Sequence, residues 1–205
     1  VRVDLDPDVV GGREFYAALN SVVVPRPIAW VSSVSADGVL NLAPHSFFTV
    51  SCVRPPMVQF TSVGRKDSLN NVEATGEFVV NFATEPLFEQ VNATGTNFPA
   101  GISEFEAVGL STEPSTTIAV PRVAESPVAI ECTLHTTLEL GDSTVVIGRV
   151  RHLAIAAEVM DGDHPDINRL RPLARLGRNE WSTIGEVLDI TRIRYDDWPG
   201  HRQAD

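Results

Sequence analysis

The chain has 205 residues, 16 of them basic and 27 acidic, for a formal net charge of −11. That length suits one domain, spanning 1–205, able to bury roughly 70% of its unfolded surface without disulfides, and the acidic balance argues against nonspecific nucleic-acid binding. No run approaches the roughly 20 apolar residues of a membrane span, and the start, Val1 to Asp6, is acidic without an apolar signal core, so a cytoplasmic protein with neither a membrane nor a nucleic-acid partner is expected.

In chain order, Glu14 to Leu19 predicts a short helix after Gly11-Gly12, and strands are expected at 22–24, 28–35, 39–43, 47–52, 57–61 and 77–82. Asp37-Gly38 is the pair favoured by a two-residue hairpin turn, so the chain should fold straight back through Val39 to Leu42. Pro44 lacks a backbone donor and pushes Ala43 into an extended conformation, so ladder pairing is expected to lapse there and free backbone amides for a ligand. A helix from Asp67 or Ser68 as N-cap should run to Thr75 and stop at Gly76. Asn81, inside an apolar strand, needs a buried partner.

Thr84-Glu85-Pro86 resembles a helix entry, with the helix running towards Ala93 before Gly95. The segment from Thr96 to Gly101 reads as a mobile loop or lid, and Ser103 with Glu106 has capping-box spacing ahead of Gly109. Two long β-branched strands, 129–138 and 145–155, flank a Gly141-Asp142 turn. The tail at 196–205 is polar and should fray. Many strands with few short helices indicate a mainly β barrel with peripheral helices.

The sharpest chemical signal is the octet Thr61 to Ser68. It holds the hydroxyls of Thr61, Ser62 and Ser68, a glycine that allows close backbone approach, the adjacent cations Arg65 and Lys66, and a helix start at Asp67. Unpaired N–H groups and a partial positive charge at a helix start favour an anion, phosphate above all. The alternative is a surface helix capped by Asp67 and Ser68 beside two solvated cations. The octet lacks P-loop spacing.

Other chemistry is missing from the pattern. The histidines, His45, His135, His152, His164 and His201, show no compact ligand spacing, so no metal is expected, and Cys52 and Cys132 read as structural thiols. No G-x-S-x-G elbow or G-x-G-x-x-G fingerprint is present, and His45-Ser46 adjacency is the wrong geometry for a nucleophile and its base.

The landmarks PRPIAWVSS at 25–33, NLAPHSFF at 41–48, RPP at 54–56, GRKDSLNN at 64–71, EFVVN at 77–81, IEC at 130–132, VVIGRV at 145–150 and LARLGRNEWS at 173–182 occur in a specific order. Over about residues 22–192 the chain resembles the flavin reductase-like FMN-binding split barrels, the group that includes flavoredoxin. The resemblance implies a flavoprotein built as a six-stranded, Greek-key-like split β-barrel that dimerises, with FMN at the homodimer interface. By position, Ser32, Ser33, Asn41, Ala43 and Ser46 would line the isoalloxazine and ribityl chain. The octet, through Thr61, Ser62, Arg65, Lys66, Asp67 and Ser68, would hold the phosphate. The family often has tyrosine at the place of His45 and threonine at that of Ser68. Arg26 and the Arg175 to Trp181 segment are left either to close over the flavin or to stabilise the dimer. The activity implied is an NAD(P)H-dependent oxidoreductase passing electrons through FMN to a partner protein or free flavin, since the cofactor carries the chemistry. The same resemblance also fits an FMN-binding electron carrier without nicotinamide activity.

Overall fold

A computed structural model gives the fold and describes residues 1–99 and 101–198; Ala100 in the expected lid and the expected fraying tail from residue 199 on lie outside the described residues. The strands run β1 Arg26–Pro27, β2 Ala29–Val34, β3 Leu40–His45, β4 Phe48–Cys52, β5 Met57–Val63, β6 Glu77–Phe82, β7 Thr112–Glu113 and β8 Arg122–Val123. They continue with β9 Val128–Leu140, β10 Ser143–Ile155, β11 Met160–Asp161, β12 His164–Pro165, β13 Ala174–Arg175 and β14 Trp181–Ser182. The helices are α1 Gly12–Val22, α2 Asp67–Thr75, α3 Phe88–Ala93, α4 Glu104–Val108 and α5 Ile167–Leu170, with a 3-10 turn, Glu85–Leu87, leading into α3. No helix among the described residues is long and apolar enough to cross a membrane.

Seven strands form one antiparallel sheet in the order β3-β2-β6-β9-β10-β5-β4. β3 and β4 stand at its two ends, yet only Ser46 and Phe47 separate them in sequence, and the Thr61 N–H donates to the Phe47 carbonyl at 2.9 Å. One bent run therefore joins both edges and closes the sheet. Counted as a single strand, it gives the six strands of a split barrel, and with the short helices around it the fold is the mainly β split barrel.

β2 is covered on both faces, which is why its burial is continuous rather than alternating. Ala29 and Val31 pack with Leu69 and Val72 of α2, together with Phe60, Phe78 and Val146. Ile28 and Trp30 face the other way, towards Leu87, Val91, Phe105 and Leu173. Asn81 finds its partners here: its amide donates to Trp30 O at 3.0 Å and Ser32 Oγ at 3.1 Å, and its oxygen accepts from Val123 N at 2.8 Å.

Several local expectations need correction. The hairpin after β2 has three loop residues: the Gly38 N–H donates to Ser35 O, the Ser35 N–H to Val39 O, and Gly38 alone takes the left-handed conformation at φ 85°, the turn-plus-bulge alternative to a two-residue loop. Pairing does not lapse at Pro44, which sits opposite Trp30 in register. β3 is an edge strand, and the Leu42 N–H already points away from β2 to the Glu104 carboxylate; the nitrogen of Pro44, two residues on, points the same way, where no ladder bond is lost. The strand expected at 22–24 is the end of α1 and the link to β1, which pairs with β13 in a small three-stranded sheet. The Ser103–Glu106 capping box does not form: Ser103 precedes α4 without a side-chain cap bond.

Candidate functional site

Alternation along β3 puts Asn41, Ala43 and His45 on one face, and all three border a cavity of about 590 Å³. Thr61 and Val63 project into it from β5, while Arg65, Lys66, Asp67 and Ser68 reach it from the start of α2. Ser46 and Phe47, in the bend that closes the barrel, complete this wall. The opposite wall is the turn Thr94 to Phe98, with Glu104 of α4 and Tyr16 of α1 at the margins. Trp30 holds that turn in place, its indole N–H donating to Thr94 Oγ1 at 2.9 Å.

Not every residue expected here lines the cavity. Ser32 is fully buried on the far face of β2 and donates to the Pro121 carbonyl at 2.7 Å. Ser33 faces α2 and accepts from Asn71 Nδ2 at 3.2 Å and from Asn41 Nδ2 at 3.5 Å, so it backs Asn41. Ser62 points to the opposite side of β5 from Thr61 and donates to Gly64 O at 2.8 Å. Adjacent residues of a strand face opposite ways, so Thr61-Ser62 could deliver only one hydroxyl to a face.

The α2 start differs from the expected cap. Lys66, in extended conformation, is the N-cap residue, and among the described residues no side chain bonds the first-turn N–H groups. Ser68 is turned to Asn41, whose Nδ2 donates to Ser68 Oγ at 3.1 Å, and to His45, whose Nε2 lies 3.2 Å from the same oxygen. Arg65 is committed to the helix flank, with Nη2 2.5 Å from Glu73 Oε2 and Nε donating to Asn70 Oδ1 at 3.2 Å. Lys66 has no such partner among the described residues. An unpaired ammonium beside uncapped helix N–H groups suits an anion such as phosphate.

Sequence reasoning passed over Glu104 and Tyr16, and it met His45 only as the place where the family often has tyrosine and as a neighbour of Ser46 in the wrong geometry for catalysis. The His45 ring lies 4.6 Å from that of Phe60. Burial drives its pKa down to about 4, a hydrogen bond with the Thr61 backbone works against that, and the charge of Lys66 lowers it further. A histidine this weakly basic is neutral near pH 7 and a poor general base, so the His45–Ser68 pair is an array of neutral hydrogen-bonding groups rather than a nucleophile and its base. Glu104 is buried, accepts the Leu42 N–H at 2.9 Å, and has its pKa raised chiefly by burial and also by the Asp67 charge. Neither role has a sequence signal, since both depend on long-range packing.

The His45 shift has a consequence for stability. Because the folded-state pKa lies below the ordinary value, the unfolded chain takes up the proton first as pH falls, and stability drops from about pH 6.5 downwards. The drop attributable to His45 should reach about 2 kcal/mol by about pH 5. Urea unfolding at these two pH values should show that loss in the native chain and not in His45→Asn; equal losses in both would contradict it.

Comparison with known proteins decides the family. Residues 21–173 match the family described as "Flavin reductase like domain". The chain belongs to the flavin reductase-like domain family. An uncharacterized protein of Halalkalibacterium halodurans in the comparisons is 36% identical over 200 residues, covering 92% of this chain and 95% of that protein. Among solved structures, nitrilotriacetate monooxygenase component B from Bacillus cereus superposes with a TM-score of 0.89 at 30% identity, covering 93% of this chain and 99% of the other. Pseudomonas fluorescens 2-nitrobenzoate 2-nitroreductase gives 0.87 at 30% identity, covering 93% and 96%. The flavin reductase-like match spans the cavity wall from Asn41 to Glu104 and ends at Leu173, just before β13.

Proposed function

We propose that this chain is a single-domain, FMN-binding oxidoreductase that takes electrons from NADH or NADPH and works as a homodimer. The observation that carries the reading is Lys66, without an ion-pair partner among the described residues, at a helix start with no side-chain cap among them, opening onto a cavity of about 590 Å³, within the usual range of roughly 300–1,000 Å³ for ligand pockets. Lys66 supplies charge to the phosphate and Thr61 a hydroxyl, while Ser68, bonded to Asn41 and His45, holds these two side chains of the cavity wall in place. Arg65 and Asp67 flank them: Arg65 braces the helix through Glu73 and Asn70, and Asp67 stands in the first turn of α2 on the cavity wall. Asn41, Ala43 and Ser46 form the floor for the ring and ribityl chain. Ser32, Ser33 and Ser62 act from behind, Ser33 by holding Asn41.

When bound, FMN supplies the electron-transfer chemistry, from the nicotinamide donor to a partner protein or free flavin. The side chains bind it, orient it and keep it dry. A shared site in a homodimer is supported by exposed apolar side chains on the barrel surface, among them Leu138, Leu140 and Leu153. The similarity to a 2-nitroreductase favours an enzyme over a passive carrier.

Lys66→Ala should weaken FMN binding by about 1.5–3 kcal/mol, the loss expected for a hydrogen bond to a charged group. A fluorescence titration of FMN against native and variant protein measures it. Equal affinities would remove the phosphate from this helix start, and no binding by the native chain would remove the cofactor.

A further inference from the structure

Beside the main cavity lies a smaller hollow of about 330 Å³, and its wall includes Arg13, Arg26, Arg175 and Arg178 but no acidic residue among those described. In a chain with a net charge of −11, four arginines facing one hollow without an acid call for a physical explanation. Among the described residues none of the four makes an ion pair with a carboxylate; the paired arginines are Arg65, Arg122, Arg169 and Arg171.

Arg26 is buried at 8% exposure. It donates to the Asn20 carbonyl at 2.5 Å, Val23 O at 3.0 Å, Leu176 O at 2.8 Å and Ser46 Oγ at 3.4 Å. All four acceptors are neutral, so its hydrogen bonds are satisfied while its charge is not. A guanidinium does not shed its proton to escape burial, and a buried charge without a counter-ion is costly. The register of β1 on β13 then places Arg175 directly opposite Arg26, and like charges in that position destabilise a sheet pair.

Arg13 and Arg178 stand around this pair at the wall of the same hollow. Arg175 lies 4.6 Å over the Trp181 ring and donates to Arg178 O at 2.9 Å, which leaves other guanidinium donors for a ligand. The turn carrying Arg178 sits so close to α1 that a Cβ on Gly177 would meet Ser21 Oγ at 2.3 Å. Arg13 comes from α1 itself.

We propose that this hollow is an anion site that takes the phosphate or carboxylate group of a ligand whose body lies in the adjoining cavities. The hollow shares Tyr16, Ser46 and Phe47 with the main cavity, and shares Arg175 and Ser46 with a third cavity bordered by Ile28, Phe88 and Trp181. A ligand anchored on the arginines thus has an apolar and aromatic surface next to its charged end. The missing counter-ion is the ligand's own oxyanion, which binds guanidinium in bidentate fashion. The site stands whether or not FMN occupies the main cavity.

Calorimetric titration of the whole protein, with FMN in excess to occupy any flavin site, tests this with two probes: inorganic pyrophosphate and benzoate. At least one should bind one-to-one, and the Arg13→Gln/Arg178→Gln variant, altered only at exposed side chains, should lose about tenfold or more in affinity. Arg175→Gln should give the same loss, and Lys66→Ala none. Pyrophosphate alone binding would identify a phosphate-bearing ligand, benzoate alone an organic acid, and both the shared oxyanion. No binding of either probe up to about 10 mM, or binding that survives both arginine variants or falls instead with Lys66→Ala, overturns the proposal.

Discussion

Glu131→Ala is expected to destabilise the fold by about 3–5 kcal/mol, the range for removing one partner from a buried charged cluster. Glu131 is fully buried on β9, where its carboxylate accepts from Thr116 N at 2.7 Å, Thr117 N at 2.7 Å and Thr117 Oγ1 at 2.6 Å, with Arg122 Nη1 3.8 Å away. Burial alone would raise its pKa, but the bonds from Thr116 and Thr117 outweigh burial and hold it below the ordinary carboxylate range, with His152 adding to the lowering. Truncation would strand these donors. It would also release the segment whose Pro121 carbonyl receives Ser32 and whose Val123 N–H binds Asn81, so β2 would lose support behind the cavity. Since the folded-state pKa is depressed, this contribution is present above the ordinary carboxylate pKa and is lost as pH falls through the folded value. Denaturant unfolding near pH 7 measures the effect; a loss under about 1 kcal/mol would show that the loop carries its own weight.

Gly148→Ala should cost about 3 kcal/mol, the upper end for overpacking a rigid core. A Cβ there would lie 2.3 Å from Phe78 Cζ, 2.7 Å from Phe78 Cε1 and 3.1 Å from Cys132 Cβ. Phe78 is fully buried and meets Phe60 edge-on at 5.5 Å, and Phe60 in turn touches the His45 ring. The displacement therefore runs through two aromatic rings to the cavity wall, and ligand affinity should fall with stability. Gly185→Ala, where a Cβ meets nothing within 4 Å among the described residues, is the neutral control. Adding Phe78→Leu to Gly148→Ala should recover part of the loss; purely additive effects in the double-mutant cycle would mean the contact is not the cause.

Local rules reached those parts of the fold that local chemistry controls. Gly76 ends α2 in the left-handed conformation, β6 occupies 77–82, and a two-residue loop at Gly141-Asp142 joins β9 to β10. Long-range placement was out of reach. Pro44 reads as a breaker until β3 is known to be an edge strand, and the pairing of Arg26 with Arg175 spans most of the chain. The family resemblance offers Ser32 and Ser33 as two lining residues, but β2 is covered on both faces and each is taken by its own neighbour. The octet gave the chemistry of the α2 start. Which groups are free there follows only from the tertiary bonds of Arg65 and Ser68.

The central claim, a flavin reductase driven by a nicotinamide donor, is tested most directly by an anaerobic visible spectrum of FMN-loaded protein before and after adding NADH, then NADPH. The account predicts rapid bleaching of the flavin band by at least one of the two. A yellow colour that persists with both and disappears only with dithionite would contradict it, and would make the protein a carrier that another protein must reduce.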